Sequence, residues 1–120
     1  MFSHIDTGKK GEIIAKNHLM GHGYRIVETN WHFGHLEIDI IAQKEETIIF
    51  CEVKTRSSSR MGEPETFVSR QKQQFLIRAA HHYVIKKNID KEVRFDIISI
   101  LLQGEKPSVK HIQDAFTPRW

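Results

Sequence analysis

Residues 47–56 read TIIFCEVKTR, and the fold turns on how they are read. Alternation puts Ile48, Phe50, Glu52 and Lys54 on one face of a strand and Ile49, Cys51 and Val53 on the other. Such a strand belongs inside a sheet covered on both sides. Yet its second half sets a carboxylate and an ammonium in line with Ile48 and Phe50. Buried charge is costly unless paired, so Glu52 and Lys54 need either an ion pair or a chemical reason.

Working outward, HLEIDIIAQ (35–43) is a second strand, with Leu36, Ile38 and Ile40 on one face and Glu37, Asp39 and Ile41 on the other. KEE (44–46) makes a polar turn without the glycine a tight hairpin prefers. YRIVETN (24–30) is a short strand before it. Further upstream, Asp6 or Thr7 caps a helix over residues 8–20, stopped by GHG at 21–23. At about 100° per residue, Glu12 falls at the centre of the stripe of Ala15, Leu19, Met20 and Ile13, with Ile14 outside it. Downstream, SSSRMGEP (57–64) is a loop by composition. Residues 65–88 have helical periodicity through Phe67, Val68, Phe75, Ala79 and Tyr83. KEVRFDIISILLQ (91–103) is a fourth strand, and SVKHIQDAF (108–116) a short fifth at an edge. The order α-β-β-β-α-β-(β), without repeat or linker, predicts one α/β domain over residues 1–120, a mixed sheet flanked by helices.

Bulk properties narrow the classes. The chain has 120 residues, 39% apolar and 28% charged, as suits one soluble domain with a core. It has no apolar run of the roughly 18–20 residues a membrane span takes, and MFSHIDTGKK lacks the apolar region of a signal peptide. A single cysteine, Cys51, excludes an internal disulfide and argues against a cysteine zinc cage. A cytoplasmic location is expected. The net charge of +3 and a pI near 9.1 lean towards nucleic acid. Basic residues gather at 54–60 (Lys54, Arg56, Arg60), 70–78 (Arg70, Lys72, Arg78) and 86–94 (Lys86, Lys87, Lys91, Arg94). Clusters of this kind are ordinary on solvated surfaces.

The two central strands are joined by a short turn, and adjacent strands lie ~4.8 Å apart. If their faces align, Asp39, Glu52 and Lys54 meet on one small patch, and a helix packed on that sheet brings Glu12 to it. Clustered carboxylates repel and are costly to desolvate, and one lysine cannot offset them all. A divalent cation can; hard oxygen ligands suit Mg²⁺ or Mn²⁺. That chemistry is metal-dependent hydrolysis of a phosphodiester, with the basic clusters holding a nucleic-acid backbone. Each residue also has a plainer reading: Glu52 and Lys54 as a cross-face ion pair on a half-exposed strand, Asp39 as a strand-end or turn carboxylate, Glu12 as a charge at its helix's positive end.

The segments IDII and IIFCEVKTR resemble the core signature of PD-(D/E)XK nucleases, a strand Asp followed by (D/E)-x-K on the next strand. From GKKGEIIAKNHLMGHGYRIVETNW through LEIDIIA, GEPETFVSRQKQQFLIRAAHHYV and VRFDIISI to DAF, the chain is similar to the YraN-like family of small bacterial proteins, predicted to be endonucleases. The architecture implied resembles that of archaeal Holliday junction resolvases. The resemblance implies that Asp39 and Glu52 hold the metal with the Val53 backbone carbonyl, that Lys54 orients or activates the attacking water, and that Glu12 is an additional acidic residue. It also exposes a departure: Leu36 stands where the family commonly has Gly.

The expected function is therefore a Mg²⁺- or Mn²⁺-dependent endonuclease acting on DNA rather than RNA, including branched DNA. A homodimer fits because a junction takes two cuts. The rivals are a nucleic-acid-binding module that keeps the fold without turnover, and an adaptor recruiting a partner enzyme. Arg56, Arg60, Lys72 and Gln74, with Gln71, are candidate DNA contacts; for those on the second helix a solvated face is the plainer reading. Glu37 either supports Asp39 or bonds a basic neighbour. Asp96 reads as a partner of Arg94, Cys51 as core, and Trp31 and Trp120 as anchors. His32/His35 and His81/His82 lack ligand partners for zinc.

Overall fold

The alternation along residues 47–56 does make a strand, and it lies at the centre of the molecule. A computed structural model describes residues 7–57 and 67–118, in the order α1 (Thr7–Gly21), β1 (Arg25–Phe33), β2 (Leu36–Lys44), β3 (Thr47–Arg56), α2 (Arg70–Lys86), β4 (Glu92–Leu101) and β5 (Ser108–Phe116). The five strands form one mixed sheet in the order β1-β2-β3-β4-β5. β1, β2 and β3 run antiparallel, β3 and β4 pair in parallel from Thr47↔Glu92 to Arg56↔Leu101, and β5 returns antiparallel as an edge. The parallel pair requires a crossover, and α2 supplies it.

One helix covers each face. α2 packs Leu76, Ala79, Ala80 and Tyr83 on Ile48, Phe50, Phe95 and Ile97. α1 packs Ala15 and Leu19 on Ile40, Ile49, Cys51, Ile98 and Ile100. Burying each large apolar side chain contributes roughly 1.5–3 kcal/mol, so two such layers hold the sheet rigid. Among the described residues, no helix is long and apolar enough to cross a membrane.

Four features differ from the sequence reading. α2 starts at Arg70, not 65: Ser69 is its N-cap, its side chain accepting from Lys72 N, and Phe67 and Val68 precede the helix. β1 runs on to Phe33. The buried face of α1 is Gly11, Ala15 and Leu19, while Ile13 and Met20 are 50% and 52% exposed; Glu12 stands at the margin of the buried stripe rather than its centre. Finally, alternation along β2 inverts. Leu36, Ile38 and Ile41 pack on the α2 side, but Ile40 and Ala42 pack on the α1 side. The inversion falls at Asp39.

A carboxylate cluster where the central strands part

Both neighbours of β2 register the irregularity at Asp39. On β1, Asn30 lies between the pairs Thr29↔Ile40 and Trp31↔Ile38 and has φ 49°, a left-handed conformation that Asn tolerates better than most residues. On the other side, the paired register of β2 with β3 stops at Ile40↔Cys51, one step before Asp39 and Glu52. Where the ladder stops, the Asp39 side chain substitutes for it: Oδ2 accepts from Val53 N–H at 2.9 Å. The expected face alignment is thus replaced by a split, and Asp39 reaches across it.

Glu52 adjoins Asp39 from the α2 side. Its side chain is 13% exposed; Oε2 lies 3.6 Å from Lys72 Nζ, and buried Oε1 has no hydrogen-bond partner among the described residues. On the α1 side, Asn30 Nδ2 donates to Glu12 Oε2 at 3.0 Å and to Glu37 Oε2 at 3.2 Å. One amide thereby ties α1 to β2. α1 can come this close because of Gly11: a Cβ there would lie 1.8 Å from Thr55 Oγ1.

The electrostatics follow from burial without enough donors. Desolvation and the adjoining Asp39 push Glu52 up to about 8, against the pull of Lys72. Asp39 is also raised, by burial and by the charges of Glu37 and Glu12, although the Val53 N–H and Glu52 oppose the rise. The pair therefore retains protons at pH values where isolated carboxylates have lost them.

These residues fit a hard divalent cation in donor chemistry: two adjoining part-buried carboxylates, one with an unsatisfied buried oxygen. Among the described residues, however, no three His, Cys, Asp or Glu side chains are arranged as a finished metal cage. Val53 meets Asp39 through its N–H.

The remaining candidates are dispersed. The Lys54 ammonium donates to the Phe67 carbonyl. Arg56 ends β3 and accepts, through its carbonyl, from Leu102 N–H at 2.7 Å. Gln74 lines a groove of about 690 Å³ with Arg70, Arg78 and Phe116, between α2 and the end of β5. Arg60 and Trp120 lie outside the described residues. Trp31 packs edge-on against Tyr83, and Cys51 is wholly buried under α1. Asp96 does pair with Arg94, and also with His111.

Sequence reasoning named Lys72 as a residue able to reach DNA or the site without foreseeing its pairing with Glu52, and it missed Asn30 as the bridge and Gly11 as the close approach. A signal existed for both missed residues. An Asn inside a strand marks a left-handed position, and a Gly before a helical carboxylate marks a helix pressed on its neighbour.

A mixed α/β sheet whose central strands part around a cluster of partly buried carboxylates defines the class of this protein. The chain belongs to uncharacterised protein family UPF0102, whose model matches residues 11–100. It is 47% identical to the UPF0102 protein of Flavobacterium psychrophilum over 116 residues, covering 97% of this chain and 98% of that one. Over 116 residues it is 44% identical to the UPF0102 protein of Christiangramia forsetii, again 97% and 98% of the two chains. With that of Bacteroides thetaiotaomicron it shares 42% over 118 residues, 98% of each.

Proposed function

We propose that this protein is a metal-dependent endonuclease of the PD-(D/E)XK type, hydrolysing phosphodiester bonds of DNA, branched DNA included, with Mg²⁺ or Mn²⁺. The observation that carries the reading is the pairing of Asp39 with Glu52 at the split, both raised by burial, with Glu52 Oε1 unsatisfied. Ionisable groups held at such cost, where the other buried polar side chains among the described residues are satisfied, are a mark of function.

Asp39 and Glu52 would hold the ion, with the Val53 carbonyl as the backbone ligand that the resemblance implies. The bound metal supplies Lewis acidity and charge neutralisation at the phosphate. Asp39 is fixed for this by the Val53 N–H. Glu12 is held facing the same split by Asn30 and serves as a further acidic group at its mouth. Lys54, one alternation beyond Glu52 on the same strand face, orients the attacking water. Basic groups of α2, Lys72, Arg70 and Arg78 among them, draw the phosphodiester backbone to this side of the sheet.

The test is a cleavage screen of duplex, single-stranded, flap and four-way-junction DNA with Mg²⁺ or Mn²⁺. Asp39→Ala and Glu52→Ala are expected to lose activity while still folding. A wild type that cuts none of these substrates defeats the proposal. The rival, a module that binds nucleic acid without cutting it, draws on Lys72 already neutralising Glu52 in place of a metal. Its signature is DNA binding unaffected by Mn²⁺ and by Asp39→Ala.

A further inference from the structure

We propose that Lys72 is the resident counter-ion of Glu52, a cation that the metal must displace and whose released ammonium then meets the substrate phosphate. This rests on the reading of the split as a metal-dependent nuclease centre.

The ion pair is the starting observation. Lys72 Nζ is 3.6 Å from Glu52 Oε2, which pairs the ammonium with that carboxylate. Lys54, which the sequence motif singles out, has its ammonium on the Phe67 carbonyl and 5.8 Å from the centre of the Phe67 ring. Two lysines thus flank the site, and Lys72, paired with its carboxylate, comes from α2.

The backbone of Lys72 is fixed while its tip is free to leave. Lys72 N–H donates to the Ser69 N-cap at 3.1 Å, which locks the residue into the first turn of α2. The side chain is 45% exposed, against 13% for Glu52. An ammonium can therefore exchange between the carboxylate and solvent without any backbone motion.

Charge decides the consequence. With both carboxylates ionised, a single ammonium offsets the charge of Glu52 and leaves that of Asp39 uncompensated, whereas a divalent ion offsets both. A metal seated on Glu52 repels an ammonium at the same carboxylate, so the two cations bind antagonistically. Once displaced, the tethered ammonium stays beside the ion, at the positive end of α2. It is then available to an incoming phosphate and close enough to stabilise its added negative charge. Lys72 accordingly weakens metal binding in the resting protein and assists cleavage in the loaded one.

These two effects have opposite signs in one variant, which makes the proposal testable. Mn²⁺ is titrated calorimetrically into the full chain as wild type, Lys72→Met and Lys72→Arg, and cleavage is measured at saturating Mn²⁺. Lys72→Met is expected to bind Mn²⁺ roughly three- to tenfold more tightly, and Lys72→Arg, which keeps the charge, within about twofold of wild type. Lys72→Met should nevertheless cut DNA more slowly than wild type. Mn²⁺ binding by Lys72→Met alone, with none in the wild type, is the strongest form of the expected result. Lys72→Met that binds no more tightly than wild type, or no binding by either, overturns the displacement; undiminished cleavage by Lys72→Met overturns the phosphate role. If binding tightens while no chain cuts DNA, displacement stands and the nuclease reading falls, so the two failures are separable.

Discussion

Asp96 and Glu52 sit on adjacent strands, both are shielded from water, and they end on opposite sides of the ordinary carboxylate range. Burial alone would raise Asp96, but bonds from His111, Arg94 and the Asp114 N–H overcome it and hold the group low. Four hydrogen bonds of 2.7–3.0 Å reach its two oxygens. Glu52 has one ammonium at 3.6 Å, beyond hydrogen-bond reach, and an orphan oxygen, and rises. Asp96 is thus structural, a clasp fixing β5 and Arg94 to the sheet, whereas Glu52 is left with unmet demand. Asp96→Ala should cost about 3–5 kcal/mol, because it strands Arg94 and His111 beside a cavity. Chemical denaturation measures this. A depressed carboxyl stabilises the fold above its unfolded value near 3.8, and that contribution is lost as pH falls through its lower folded value. The wild type should therefore weaken below about pH 4 by an increment that Asp96→Ala lacks. The histidine in this clasp was not foreseeable: His111 stands fifteen residues from Asp96, and only the antiparallel return of β5, with its irregular register between Phe95 and Ile97, brings them together.

At the scale of elements, most of the architecture was legible and the split was not. β3 was readable to the residue because Ile48 to Cys51 are apolar on both faces between polar ends. The start of α2 was misplaced because Phe67 and Val68 continue the apolar period into the segment ahead of Ser69, and periodicity cannot show where the backbone changes conformation. The inversion at Asp39 was hidden for a related reason: Leu36, Ile38 and Ile40 look like one stripe although the sheet divides them between two cores. The close contact of α1 with β3 offers a direct test of how the elements deliver Glu12. Gly11→Ala would press a methyl into Thr55. Overpacking of this kind costs about 1–3 kcal/mol, and here it also lifts Glu12 from Asn30. The expected result is a lower melting temperature together with weakened Mn²⁺ binding. Thr55→Ala in the same chain should restore part of both, since Oγ1 and Cγ2 are gone while Cβ, 2.7 Å from the new methyl, remains. Additive losses would show that the contact is not the cause. The β2–β3 turn carries a smaller test. Glu45 has φ 55°, which costs a non-glycine residue about 1–2 kcal/mol. Glu45→Gly should raise stability by roughly 1 kcal/mol without altering metal binding.

Over the whole molecule, the raised carboxylates couple folding to protons and to metal in a way a melting curve can read. Glu52 is protonated in the folded chain up to about 8, whereas the unfolded chain releases that proton near 4.5. Between these values the folded state holds the extra proton, so stability falls as pH rises through the window. Asp39 shifts in the same direction and adds to the slope. This is the reverse of the Asp96 contribution, and the metal-free protein should therefore be most stable in mild acid. Mn²⁺ needs the ionised carboxylates and competes with the proton, so its affinity should climb over the same interval. Metal at about a hundred times its dissociation constant stabilises the folded chain by about 2.7 kcal/mol. For a domain of this size that raises the melting temperature by on the order of 10 °C. At fixed Mn²⁺ the rise should be large at pH 8 and small at pH 5.5. Glu52→Gln should flatten the metal-free slope and abolish the Mn²⁺ response together, since one oxygen pair gives rise to both. A slope that disappears in this variant while the Mn²⁺ response survives would separate the proton from the metal and move the ion elsewhere in the molecule.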